Sequence, residues 1–149
     1  ALICLAGGFA WTGTIDASDP ALLARQFTIN VETAYGATRA FLPALRVAKG
    51  SVVYIASAAV MPGGDISGTA AYAIAKAGVL ALMRSVSQGE AVHGVRANAV
   101  APQAIRTAAN ISSMGEGQRY VERGAVAQAI VWLAGGAGEF VTGQTIVLA

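Results

Sequence analysis

Tyr72 and Lys76 stand four residues apart in AAYAIAKAGVLALM, a stretch whose alanine, leucine and methionine content reads as helix. Residues at that spacing share a helix face, so a phenol and an ammonium lie side by side. A free tyrosine titrates near pH 10, so using one as proton donor and acceptor around neutrality requires roughly 3 pKa units of help, about 4 kcal/mol. A fixed neighbouring cation can supply much of it. The chain has four tyrosines and two lysines, so chance alone places such a pair in roughly one chain in twenty, and the flanking segments must carry the assignment. Read alone, the pair is equally a core aromatic beside a solvated lysine.

The elements that must hold the pair follow from the pattern along the chain. Residues 1–6 are a short apolar run ending at Gly7-Gly8, a buried strand entering a loop. Ser18-Asp19-Pro20 caps a helix predicted over residues 21–45, broken near 28–30 and ended by Pro43 and Gly50. SVVYIA at 51–56 is β-branched and aromatic, a second strand; the loop around Pro62-Gly63-Gly64 then leads to the Tyr/Lys helix over 70–88. VRANAVA at 95–101 is a third strand stopped by Pro102, and a helix over 124–134 precedes a last strand, TIVLA. This order predicts an α/β domain with a doubly wound, Rossmann-like parallel sheet. Ligands bind such sheets beyond the carboxyl ends of the strands, where the loops at Gly7, Ser57 and Pro102 to Thr107 converge.

Composition narrows the class. At 149 residues, with no Pro/Gly/Ser-rich linker or charge run, the chain reads as one domain spanning 1–149. Hydrophobic residues make up 55% and charged residues 12%, which excludes disorder and fits strands covered on both faces. The net charge of +2 is scattered, so no basic stripe marks a nucleic-acid partner. The single cysteine, Cys4, allows neither a disulfide framework nor a cysteine metal site within the chain, and His93 has no second histidine at ligand spacing; no metal is expected and a reducing cytoplasm fits. The apolar start lacks a basic flank and is too short to span a bilayer, so neither secretion nor a membrane is indicated.

CLAGGFA, INVETAYGATRAFLPAL with Asn30, SVVYIASAAVMPGG, the Tyr72 helix, VRANAVAPQAIRT and VTGQTIVLA together, in this order, resemble the catalytic half of the short-chain dehydrogenases/reductases over essentially the whole chain. The resemblance implies an oxidoreductase using NAD or NADP and a small carbonyl or alcohol substrate. It implies Tyr72 as acid/base, Lys76 lowering the phenol's pKa and binding the nicotinamide ribose, Asn30 helping hold a proton-relay water, and Ser57 beside the reacting oxygen. Cofactor contacts are implied at Ala6, Gly7, Tyr72, Lys76, Pro102, Ile105 and Thr107. Family members are commonly dimers or tetramers packed through the two long helices, which implies a homodimer or homotetramer. An asparagine at a helix break also serves for local backbone bonding.

The chain departs from the family pattern in several places. The family serine usually lies about 13 residues before the tyrosine, whereas Ser57 lies 15 before Tyr72 and the usual count lands on Ala59. Either the loop carries two extra residues or no serine serves the site. Asn-Asn-Ala-Gly is replaced by Cys4-Leu5-Ala6-Gly7, and Pro-Gly after the third strand by Pro102-Gln103, where a different loop path is expected. AGGFA and IRTAANISSM resemble the dihydropteridine reductases and their bacterial relatives; in that reading Phe9 stacks on a flat heteroaromatic substrate, and otherwise it is core. The short span after Thr107 leaves little room for a large lid. No Gly-rich phosphate loop follows an N-terminal strand. The N-terminal cofactor-binding half is therefore expected to be missing: the chain reads as a fragment, a segment whose preceding part is not given, or one completed by a partner. An inactive remnant or assembly subunit, and a nucleotide-binding module with an incidental Tyr/Lys pair, are the alternatives.

Overall fold

A computed structural model describes residues 1–149. Four strands, β1 (Leu2–Cys4), β2 (Ser51–Ile55), β3 (Arg96–Pro102) and β4 (Thr145–Leu148), form one parallel sheet in the order β1-β2-β3-β4. The helices between them are α1 (Ala21–Phe27), α2 (Thr33–Ala48), α3 (Ala70–Gly89), α4 (Ala108–Met114) and α5 (Arg123–Ala134). Side chains alternate across a strand, and the alternation sorts the core into two layers. Val52 and Tyr54 of β2 pack with Ala97 and Ala99 of β3 beneath Val79, Met83 and Val86 of α3. Val53 and Val100 face the other way, against Val126 and Leu133 of α5. Helices on both faces of a parallel sheet make the fold doubly wound, as the strand–helix order predicts.

Three local expectations are corrected. Strand β1 stops at Cys4 rather than residue 6; Leu5 is 64% exposed, and from there the chain leaves the sheet. Pro43 does not end the second helix but sits inside α2, which runs to Ala48 and closes with Lys49 in the left-handed region at φ 47°. Proline removes the N–H that would bond the carbonyl four residues back, and here both Pro43 and Arg39 lie on the exposed side of the helix. The third correction is α4, an extra helix in the stretch after Thr107, to which the pattern assigns no element. The break near 28–30 is present as a π-turn, Thr28–Glu32, between α1 and α2. Gln103 keeps an ordinary negative φ and donates its backbone N–H to Leu148 O at 2.8 Å, so the strand pairing continues past Pro102 without a glycine.

Two packing features fix the elements under the site. Gly78 of α3 lies against Val31, and a Cβ there would come within 3.2 Å of its side chain, so the missing methyl lets α3 approach the π-turn closely. On the opposite face Arg96 holds the end of α5: Nη1 donates to Leu133 O at 2.9 Å, Gly138 O at 2.8 Å and Val141 O at 3.1 Å, and Nη2 donates to Gly135 O at 3.3 Å. A cation at a helix C-terminus meets both the unpaired carbonyls and the negative end of the dipole. Arg96→Met is therefore expected to lower unfolding stability by about 3 kcal/mol, read by urea denaturation, with Arg96→Lys recovering less than half, because one ammonium cannot span the four carbonyls.

Candidate active site

The carboxyl ends of β1, β2 and β3 bring the sequence-selected residues to one edge of the sheet. Ser57 follows β2 with extended backbone (φ −150°, ψ 141°) and is buried; its Oγ accepts from Ala59 N at 3.3 Å and caps a short 3-10 turn, Ala58–Val60. Tyr72, one turn into α3, is half-buried beside it. Burial pushes the Tyr72 phenol up from its ordinary value, and the Ser57 hydroxyl pulls it down. Of Ser57 and Ala59, it is thus Ser57 that brings a hydroxyl to Tyr72. The chain between Ser57 and α3 folds back on itself, with Gly64 so close to Ala58 and Ala59 that a Cβ would strike both carbonyl oxygens.

Lys76, one turn after Tyr72, is 6% exposed and donates from Nζ to Ile55 O at 2.9 Å. Nζ lies 5.8 Å from the centre of the Tyr72 ring. With no carboxylate against it, burial drives the lysine down to about 8. In the free site, burial outweighs the Ser57 hydroxyl and leaves the Tyr72 phenol above its ordinary value.

Asn30, 1% exposed, sits in the π-turn. Its Oδ1 accepts from Gly8 N at 3.2 Å, and its Nδ2 donates to Gly8 O at 3.0 Å, Gln26 O at 3.0 Å and Gln26 Oε1 at 3.1 Å. The side chain therefore holds the loop after β1. Above Gly7, Asn30 Oδ1 and Lys76 Nζ converge: a Cβ on Gly7 would lie 2.6 Å from the first and 3.3 Å from the second. The glycine is needed for space rather than for backbone freedom, since its φ is not positive. Gly7→Ala is expected to cost about 1–3 kcal/mol of stability and to reduce turnover at least tenfold, measured by thermal unfolding beside steady-state kinetics.

Phe9 meets Tyr72 edge to face, with ring centroids 5.0 Å apart and planes at 73°, while remaining 58% exposed. It stands beside Tyr72 at the candidate site and not in the core. Ala6 is exposed beside Gly7. Pro102 is buried at the end of β3; Ile105 pairs with Val121; Thr107 caps α4, its Oγ1 accepting from Asn110 N at 3.1 Å. Sequence reasoning missed Asn110, whose Nδ2 ties back to Ile105 O at 2.8 Å, and the Thr107-x-x-Asn110 spacing was the available signal. It also missed Trp11, Thr12 and Gly68, which no motif marks. No cluster of three metal-ligating side chains occurs, and no helix is long and apolar enough to cross a membrane.

These residues fit the nicotinamide-ribose end of a dinucleotide. Gly7 presents bare backbone, and Lys76 Nζ has three N–H donors of which Ile55 O takes one, leaving two for ribose hydroxyls.

The class this fold and site define is that of the short-chain dehydrogenases/reductases. The family model described as enoyl-(acyl carrier protein) reductase matches residues 2–148, and the chain belongs to that family. Among solved structures it is similar to a short chain dehydrogenase/reductase family protein, with 29% identity and a TM-score of 0.89 over 99% of this chain and 64% of that one. It shares the fold of ElxO with NADP bound (22% identity, TM-score 0.90, 99% of this chain and 64% of that one). It also shares the fold of 4-hydroxyisoleucine dehydrogenase complexed with NADH (23%, TM-score 0.82, 99% and 66%). The chain thus spans less than two thirds of the length of these relatives. No curated protein matches it.

Proposed function

We propose that the intact protein is an NAD(P)-dependent oxidoreductase acting on a small carbonyl, alcohol or pterin-like substrate, with Tyr72 as the acid/base. The observation that carries this reading is the position of Tyr72, half-buried at the sheet edge between the Phe9 ring and the Ser57 hydroxyl, with Lys76 one turn on. A phenol raised by burial stays protonated through neutrality, so it suits donation of a proton to a substrate oxygen or nitrogen, the reductive direction. Ser57 Oγ hydrogen-bonds the same substrate atom, and the Phe9 face bounds a flat substrate. Lys76 holds the ribose and returns positive charge toward the phenol as it loses its proton. Asn30 keeps Gly7 and Gly8 where the cofactor backbone contacts require them, with Ala6, Pro102, Ile105 and Thr107 completing the contact surface. The dinucleotide, when bound, supplies or accepts the hydride.

A dihydropteridine reductase-like substrate is part of this proposal, supported by Phe9 and by the Gly7-Gly8-Phe9 order. So is a homodimer or homotetramer through α2 and α3, supported by the exposed Tyr35, Phe41 and Ile74 on those helices. A cytoplasmic setting is supported by the buried free thiol of Cys4. The test is nicotinamide-linked turnover and dinucleotide binding by the intact protein, assayed with NADH and NADPH against carbonyl, alcohol and quinonoid pterin substrates. Saturable binding with turnover supports the reading; absence of both assigns the chain to an inactive or assembly role.

A further inference from the structure

The loop after β1 is strapped to the loop before α3 at a single oxygen. Gly68 O accepts from Thr12 N at 2.7 Å, Gly13 N at 3.1 Å and Thr12 Oγ1 at 2.9 Å. Gly68 has φ +68°, and a Cβ there would lie 2.5 Å from the Trp11 indole, so the indole packs directly on its Cα. Side chains larger than hydrogen are excluded twice over, by backbone and by space. The two loops joined here carry opposite sides of the candidate site: Phe9 lies three residues before Thr12, and Tyr72 four residues after Gly68. They meet again at the Phe9–Tyr72 edge-to-face contact. Both aromatic residues of the first loop remain open to solvent, Phe9 at 58% and Trp11 at 68%.

A carbonyl oxygen has two lone pairs, and three donors on one oxygen saturate it. Neither Thr12 nor Trp11 touches Lys76, Asn30 or Ser57 among the contacts described above, so the strap is not needed to assemble the acid/base pair. Its effect falls on the substrate side. It fixes the loop that carries Phe9 beside the phenol, and holds a second exposed aromatic ring of that loop, Trp11, against Gly68, four residues before Tyr72.

The geometry points to Thr12 as a positioning residue and Trp11 as a specificity-determining residue, which together make the site select flat, conjugated carbonyl compounds over aliphatic ones. This rests on the oxidoreductase reading above. Two aromatic faces held by a rigid strap recognise a planar π-system by stacking and offer an aliphatic chain only general apolar contact.

The test compares phenanthrenequinone, a flat conjugated diketone, with diacetyl, an aliphatic one, in the intact protein. Thr12→Val removes the Oγ1 donor and keeps the backbone N–H. It is expected to raise KM for phenanthrenequinone about fivefold, leave KM for diacetyl within about twofold and leave kcat and dinucleotide affinity unchanged, with Thr12→Ser restoring the wild-type value. Trp11→Leu shows the same selectivity loss, about tenfold. Equal shifts for both diketones mark a merely structural role and overturn the proposal, as does no shift for either. Binding is read independently as the difference in fluorescence quenching between the unsubstituted protein and Trp11→Leu, which isolates the Trp11 indole. Phenanthrenequinone must quench that Trp11 component saturably, and failure to do so overturns the proposal even where neither diketone is reduced. Turnover retained by Tyr72→Phe would instead overturn the oxidoreductase reading while leaving the quenching result to decide the strap.

Discussion

Tyr72→Phe in the intact protein leaves dinucleotide affinity within about twofold and lowers turnover by about 10²–10⁴-fold, the range for removing a positioned general acid. The substitution keeps the ring, and with it the edge-to-face contact to Phe9 at 5.0 Å and the position beneath Lys76. It deletes only the hydroxyl that Ser57 faces. A loss of turnover without a loss of binding therefore isolates proton transfer. Tyr54→Phe is the matched control: its hydroxyl is buried, pairs with Thr38 Oγ1 at 2.7 Å and is pushed up to about 12 by desolvation. That variant is expected to lose about 1 kcal/mol of stability and no turnover, because Tyr54 lies in the core under α3. Turnover surviving in Tyr72→Phe at the level of the Tyr54 control would remove the chemical assignment altogether.

Lys76→Met moves activity and stability in opposite directions. Burial takes the lysine from 10.5 down to about 8, a difference that corresponds to about 3 kcal/mol of destabilisation while the group is charged in both folded and unfolded chains, at neutral pH and below. Methionine fills a similar volume without charge but leaves Ile55 O without its donor, so the net expected gain at pH 7 is about 1–2 kcal/mol. Between pH 8 and 10.5 the folded protein has released the proton and the unfolded chain still binds it, so wild-type stability rises with pH relative to the variant. The advantage of Lys76→Met, measured by urea denaturation at a series of pH values, thus shrinks across that window and is largest below it. Turnover falls by at least 10²-fold at every pH. A variant that is less stable than wild type at pH 7 would show that the Ile55 contact, and not a binding or catalytic role, keeps the lysine there.

Much of this arrangement is legible in the sequence because it rests on short-range rules. Four-residue spacing puts Tyr72 and Lys76 on one face of α3; a β-branched run makes β2; a polar Asn30 within an apolar helical stretch marks the break between α1 and α2. Less legible features depend on where elements come to rest. Pro43 looks like a terminator until its helix is seen to carry it on the exposed side, where a lost backbone bond costs least. The length of the loop between Ser57 and Tyr72 is ambiguous in one dimension and resolved only by Gly64 packing onto the preceding carbonyls. The shifts of the phenol and of the lysine depend on how deeply each is buried, which no spacing reports. Asn30 stands out in the sequence, but its side chain proves to be committed to Gly8 and Gln26, contacts between segments far apart in the chain or set by the π-turn.

That π-turn has a geometric corollary. An α-helix advances about 100° per residue, so one additional residue in a turn rotates everything downstream by that angle about the axis. The segment before Thr28 and the segment after Glu32 consequently follow two different azimuths on what is nearly one rod, the first aiming Gln26 inward and the second aiming Ala34 and Thr38 onto the sheet. Excising a single residue from Thr28–Glu32 would straighten the rod, swing its two ends out of phase with the surfaces they now meet, and leave the amide of Asn30 facing away from Gly8.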